Sequence, residues 1–122
     1  MKAVIFDRDD TLTVDVGWTH KLENCKFING APKAVKLIIS SGYLVFVATN
    51  LGGIAKGYFT ENQMNIFHWK LKYALSKYHA WIDDIAYCPH SPYPPNHDDL
   101  CSCRKPNPGR LRYLSMKWNI KP

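Results

Sequence analysis

The strongest constraint on this chain is its alternation of short apolar, β-branched runs with helical stripes. Lys2-Ala-Val-Ile-Phe6 is one such run and stops at Asp7, Asp9 and Asp10. Tyr43-Leu-Val-Phe-Val-Ala48 is another, and between them Pro32 opens a stretch in which Ala34, Val35, Leu37 and Ile38 recur at helical spacing. Proline suits the first turn of a helix, where its missing N–H would have no partner anyway. A strand, a helix and a strand in that order predict two parallel strands joined by a right-handed crossover.

The alternation continues along the chain. Thr60-Glu-Asn-Gln63 places a hydroxyl three residues before a glutamine, the pattern of a capping box. The helix it opens is predicted to run to about Lys77, with Met64, Phe67, Leu71 and Leu75 on its inner face. Ile85-Ala-Tyr87 reads as a third strand, and Leu111, Leu114 and Met116 as the stripe of a closing helix. Between these elements lie a polar loop over 11–30, a glycine-rich turn over 49–58 and a proline-rich loop over 88–108. The order β-loop-α-β-turn-α-β-loop-α predicts an α/β fold, a doubly wound parallel sheet, in a single domain over 1–122.

Composition narrows the function classes. Of 122 residues 46% are hydrophobic and 21% charged, values that exclude a disordered chain. The longest apolar run, 43–48, falls far short of the roughly 20 residues of a membrane span. The start, MKAVIFDRDD, turns acidic without an apolar signal-peptide core, which points to a soluble, cytoplasmic protein with no membrane partner. A net charge of +6 favours anionic partners, but the basic residues are scattered rather than gathered in a stripe, which disfavours nucleic acid.

In doubly wound sheets ligands sit beyond the carboxyl ends of the strands, and the chemically capable residues fall there. Asp7 and Asp9, alternate residues at a strand end, are expected on one side, pointing into one crevice. Two such carboxylates repel unless a cation such as Mg²⁺ shares them. One of them could then attack phosphorus while its neighbour handles the proton. An acidic turn that merely ends a strand is the alternative. Thr49-Asn50 followed by Gly52-Gly53 lets backbone N–H groups approach an anion, and Arg104-Lys105-Pro106 sets two cations on a stiffened loop. Either could also be an ordinary turn. Cys88-Pro-His90 and Cys101-Ser-Cys103 together make a Cys₃His set, the composition of a structural Zn²⁺ site. A disulfide is disfavoured, since Cys101 and Cys103 are too close in sequence to pair easily. Cys25 reads as a core or surface thiol, and His97 as solvated.

Asp7-Arg8-Asp9-Asp10-Thr11 resembles the first motif of haloacid-dehalogenase-type (HAD) phosphatases, D-x-D-x-T; VATN resembles their second motif and the lysine of CRKP their third. The strings DVGW, VATNLGGIAKGYFTE, CPHSP and CSCRKPNPG are similar to those of the D-glycero-D-manno-heptose 1,7-bisphosphate phosphatases. The phosphatase portion of bifunctional histidinol-phosphatase enzymes is a near relative of that group. The resemblance covers the whole chain and implies a HAD-like Rossmannoid fold and Mg²⁺-dependent hydrolysis of a small sugar bisphosphate to the 1-monophosphate plus phosphate. It implies Asp7 as the nucleophile that forms an aspartyl-phosphate, and Asp9 as acid, then base. Mg²⁺ would be held by the Asp7 carboxylate and the Asp9 backbone carbonyl.

By the same resemblance, Thr49 and Lys105 would hold the transferring phosphoryl group. Asp15, Val16, Gly17, Trp18, Asn50, Leu51, Gly52 and Arg104 would contact the sugar or its second phosphate. Zinc on Cys88, His90, Cys101 and Cys103 would fix the loop that carries Arg104 and Lys105. A catalytically impaired, zinc-stabilised remnant that binds sugar phosphate, a histidinol-phosphate phosphatase and a nucleic-acid-end phosphatase are the alternatives. Asp10, Leu51, Gly52 and Lys56 replace a usual Gly, Gln, Ser and Arg. The resemblance further implies a strand and an acidic motif beyond Pro122, the strand lying beside the first one. Without them the sheet would be incomplete at the C-terminus and its first strand an exposed edge. A family monomer could then associate through that edge.

Overall fold

The computed structural model describes residues 2–89 and 109–120, with 109–112 described by their backbone alone. Three parallel strands, β1 (Ala3–Phe6), β2 (Leu44–Asn50) and β3 (Asp84–Cys88), form a sheet in the order β1-β2-β3. Ala3 to Phe6 pair with Leu44 to Val47, and Phe46 to Asn50 pair with Asp84 to Cys88. β2 is the middle strand because it can be apolar throughout: Val45, Phe46, Val47 and Ala48 are all buried, as a parallel strand covered on both faces requires. It runs two residues further than its apolar composition suggests. Thr49 and Asn50 belong to the strand rather than to the turn, because Tyr87 and Cys88 offer them ladder partners. β1 stands at one edge of the described sheet, and its Ile5 is 42% exposed.

Helices cover both faces. α1 (Ala31–Ser40) and α2 (Glu61–Ser76) pack on the face that carries Val45 and Val47, with Val35, Leu71 and Leu75 in one cluster. On the opposite face Phe46 and Ala86 meet Leu114 of α3 (Gly109–Lys117), with Trp118 and Ile120 closing over them. Asp84 ties α3 to β3, accepting from Trp118 Nε1 at 2.9 Å and from Lys117 Nζ at 2.8 Å.

Two expected stripes need correction. On α1 the buried side chains are Ala31, Pro32 and Val35, with Ile38 and Ile39 half-buried; Ala34 is exposed and Leu37 is 68% exposed. Ala31, Val35, Ile38 and Ile39 are four, seven and eight apart and share the face on the sheet, whereas Ala34 and Leu37, three apart, share another face turned to solvent. On α3 Leu114 is fully buried but Met116, two residues on and so across the helix, is 83% exposed. The Leu111 side chain, the loop over 90–108 and its residues His90, His97, Cys101, Cys103, Arg104 and Lys105 lie outside the described residues. α2 follows its pattern closely. Met64, Phe67, Leu71 and Leu75 are buried, and so is His68 inside the same stripe.

The loop between β1 and α1 is ordered by the core. Leu12 is buried in the α1–α2 cluster, its carbonyl accepting from Ile28 N–H at 2.9 Å, and Thr13 bridges to both Asp9 and Phe27. Among the described residues no helix is long and apolar enough to cross a membrane.

The start of α2 is held by a complete capping box. Thr60 Oγ1 accepts from Gln63 N–H at 3.1 Å and Gln63 Oε1 accepts from Thr60 N–H at 2.8 Å. Thr60→Ala is expected to lower stability by about 1 kcal/mol, read in urea unfolding as a lower midpoint at unchanged slope.

Candidate active site

β1 and β2 end side by side, which sets the segments that follow them around a cavity of about 300 Å³. Asp9 comes to it from the turn after β1. Asp15, Gly17, Trp18 and Thr19 come from the loop beyond, and Asn50, Leu51 and Phe59 from the end of β2 and the turn after it. Six expected residues therefore meet here: Asp9, Asp15, Gly17, Trp18, Asn50 and Leu51. Thr49 is buried at the same strand end, Gly52 is buried beside it, and Val16 is exposed on the loop. Asp7 follows Phe6 directly and is exposed, close enough for its charge to act on Asp9.

The loop that carries DVGW is tied to itself. Asp15 Oδ1 accepts from Gly17 N–H at 2.9 Å and from the Thr19 hydroxyl at 3.3 Å, while Val16 N–H donates to Thr19 Oγ1 at 3.0 Å. This turn carries two successive left-handed residues, Gly17 at φ 80° and Trp18 at φ 49°. The second is strained for a bulky side chain, and it turns the indole onto the cavity wall. Trp18 meets Tyr58 edge-on at 5.1 Å between ring centroids, and Lys56 Nζ sits 4.6 Å above the indole. Lys56 thus keeps a cation on an aromatic face without the fork of an arginine. Behind the wall, a Cβ on Gly53 would lie 2.5 Å from Phe59 and 3.0 Å from Trp18, so only glycine fits. Asp10 is also left-handed, at φ 62°, which explains why this position favours glycine in the motif it resembles.

The expected cradle of backbone N–H groups after β2 is only partly open to an anion. Leu51 N–H donates to the Cys88 carbonyl at 2.7 Å and Ile54 N–H to the Leu51 carbonyl at 3.1 Å. The Leu51 side chain packs with Phe59 and Met64 in a small apolar cluster.

Two residues outside the expected set organise the site. Arg8 is fully buried, and its guanidinium turns onto the Asp9 carboxylate. Its Nε and Nη2 donate to Asp9 Oδ1 and Oδ2 at 2.8 and 3.0 Å, Nη2 also donates to the Thr19 carbonyl at 2.6 Å, and Nη1 lies 3.2 Å from His68 Nε2. The guanidinium lies 4.6 Å over the Phe67 ring. The sequence carried two partial signals. Arg8 stands between two acids just past β1, where an arginine can pair with a neighbouring carboxylate, and His68 falls four residues after Met64 on the buried stripe.

Burial pushes the Asp9 carboxyl above its usual range, outweighing the Arg8 fork that acts to lower it, and the charges of Asp15 and Asp7 add to the rise. His68 is pushed down to about 3, by burial first and then by the charges of Arg8 and Lys72. Of the expected zinc ligands only Cys88 is described, buried at the end of β3. Among the described residues no group of three or more His, Cys, Asp or Glu stands together to hold a metal.

The fold is shared with solved phosphatase structures. The magnesium- and phosphate-bound D,D-heptose 1,7-bisphosphate phosphatase of B. bronchiseptica is 31% identical with a TM-score of 0.88, over 98% of this chain and 65% of that one. A HAD-like protein from Mesorhizobium loti, 24% identical, shows the same fold at a TM-score of 0.88, over 96% of this chain and 57% of that one. In sequence, the D-glycero-beta-D-manno-heptose-1,7-bisphosphate 7-phosphatase of Haemophilus ducreyi is 39% identical over 99% of this chain and 68% of its own length. The chain belongs to the heptose-1,7-bisphosphate 7-phosphatase family, and it spans between 57% and 68% of the length of curated relatives it matches. No family model matches it.

The shift at His68 has a consequence for stability. The unfolded chain takes a proton on this residue below about pH 6.5, whereas the folded chain holds it neutral down to about 3. Stability from this residue is therefore full above pH 6.5 and is lost as pH falls toward 3. Between pH 7 and pH 5 it should drop by about 2 kcal/mol, and His68→Gln should remove that part of the slope in denaturant titrations.

Proposed function

We propose that this chain is a phosphoric monoester hydrolase that removes the 7-phosphate of D-glycero-D-manno-heptose 1,7-bisphosphate. The observation that carries the reading is the convergence of Asp9, the Asp15–Trp18 loop and the Asn50–Leu51 strand end on one cavity at the carboxyl edge of the sheet. Its volume, about 300 Å³, is at the small end of ligand pockets and suits a sugar phosphate rather than a polymer.

The donors beside the cavity fit Mg²⁺, which prefers hard oxygen ligands. Two of the Asp9 carboxylate's lone-pair positions are taken by Arg8, and the Asp9 main-chain carbonyl is the donor we assign to the ion. Among the described residues the main-chain hydrogen bonds of this turn run to the Arg8 and Thr13 carbonyls. The Asp7 carboxylate is the second donor. Bound there, the ion would offset charge on the phosphoryl oxygens.

The chain's own residues would act in two steps. An Asp7 carboxylate oxygen attacks phosphorus, the bond from phosphorus to the sugar oxygen breaks, and Asp9 gives that oxygen its proton. Asp9, now ionised, takes a proton from water as the water oxygen attacks phosphorus, and the bond to Asp7 breaks to release phosphate. A carboxyl raised by burial is suited to holding that proton in the first step. Thr49 and Lys105 would hold the phosphoryl oxygens. Asp15, Val16, Gly17, Trp18, Asn50, Leu51, Gly52 and Arg104 would bound the sugar end.

Phosphate release from heptose 1,7-bisphosphate is expected to require Mg²⁺ and to fall by at least about a thousandfold in Asp7→Asn, which loses the nucleophile. A folded chain that binds the sugar phosphate without turnover would overturn the assignment and establish a binding remnant instead.

Cys88, His90, Cys101 and Cys103 would hold one structural Zn²⁺, supported by their composition as a closed ligand set. Elemental analysis should find one zinc per chain, and a folded, metal-free preparation would reject the set.

A further inference from the structure

Arg8 joins three parts of the molecule through one side chain. Asp9 lies in the turn after β1, Thr19 ends the loop that lines the cavity, and Phe67 and His68 belong to α2. The first two are irregular segments, whereas α2 is a helix of 16 residues anchored by five buried side chains. The helix is thus the rigid reference, and the guanidinium transmits its position to both loops. Arginine stays protonated in proteins and can only donate. His68 Nε2 at 3.2 Å must therefore accept, which places the imidazole proton on Nδ1. The chain of contacts continues through Thr19, whose hydroxyl accepts from Val16 N–H and donates to Asp15.

We infer that Arg8, held in place by His68, is a positioning residue that sets the Asp9 carboxylate and the Asp15–Trp18 loop relative to one another across the cavity. The inference rests on the proposed role of Asp9 in proton transfer. A carboxylate has about four lone-pair positions and the Arg8 fork takes two, so Asp9 is held in orientation and still has acceptor positions for the cavity side. A lysine at position 8 would keep the charge but could not grip both oxygens and the Thr19 carbonyl from one plane. His68 contributes only through Arg8.

The test uses the full chain with Mg²⁺ and heptose 1,7-bisphosphate, comparing wild type, His68→Phe and His68→Gln. His68→Phe removes the acceptor and should lower kcat about tenfold with KM within about twofold, as expected when a proton-transfer group is displaced and binding is kept. His68→Gln restores an acceptor oxygen and should recover kcat to within about threefold. In ¹⁵N-edited NMR the wild type and His68→Gln should show a slowly exchanging Arg8 Nε–H signal, assigned by its loss in Arg8→Lys. That signal should move in Asp9→Asn and be lost in His68→Phe. Equal kinetic losses in the Phe and Gln variants, or losses that follow only the folded fraction, would overturn the inference. If the wild type releases no phosphate, the proposed function fails, and the NMR signal decides the positioning role alone. Its absence, or its indifference to Asp9→Asn, would reject that role.

Discussion

A guanidinium that sees no water is a demanding occupant of a small protein. Charge transfer into a low-dielectric interior costs far more than one hydrogen bond returns, so such a group persists only with a countercharge and nearly all its donors used. Arg8 meets both conditions. Asp9 supplies the countercharge in a two-oxygen fork, Thr19 and His68 take two further donors, and the Phe67 ring covers one face. Each partner comes from a different place in the chain. Satisfying Arg8 therefore dictates how the turn after β1 lies against α2 and where the following loop must pass. The five buried polar side chains among the described residues, Arg8, Thr13, Thr19, Thr49 and His68, are Arg8 itself, two of its partners, the residue whose hydroxyl and N–H meet its carbonyl, and one at the neighbouring strand end.

The sheet and this polar knot divide the work. Val45 and Val47 on one face and Phe46 on the other bind three helices to one strand, which makes the carboxyl edge of β2 a fixed platform. Asp9 then sits at a compromise between two opposing forces. Removal from water favours its neutral form and Arg8 favours its charged form, and the first prevails. In the proposed reaction a carboxyl held between these two tendencies is suited to give a proton and then take one back.

What the sequence reveals and what it conceals follow from range. The capping box of α2, the apolar run of β2 and the parallel pairing of β1 with β2 are written in neighbouring residues or in long periodic stretches, and all three are present. The stripes of α1 and α3 were misjudged at Leu37 and Met116 because a short helix with apolar residues on several sides does not say which side meets the sheet; only the position of Val35 and Leu114 against it does. Arg8 and His68 are 60 residues apart. Read locally, one is a cation among acids and the other a polar residue among apolar ones. Their meaning depends on a contact that exists only once α2 has docked. The DVGW segment stands out by resemblance and lines the cavity, yet its self-tied turn, with Trp18 in left-handed backbone, could not be read from residue types that individually favour no such strain.

The departures from the family pattern also acquire a physical sense in this fold. Asp10 occupies a left-handed position at φ 62°, a conformation aspartate tolerates better than most residues but glycine adopts freely. Replacement there adds charge near the cavity without breaking the turn. Leu51 replaces a polar residue by joining the cluster of Phe59 and Met64, so the cavity wall gains packing at the point where it gives up a hydrogen-bonding side chain. Lys56 keeps its charge and rests on Trp18. These three changes lie in the turns and wall around the cavity, while the Arg8–Asp9 fork and its supports on α2 involve none of them. The rim of the site can therefore vary in polarity and charge with Asp9 still held by the same two hydrogen bonds from Arg8. The shape in which a sugar phosphate is gripped is thereby separable from the placement of the group proposed to move its proton.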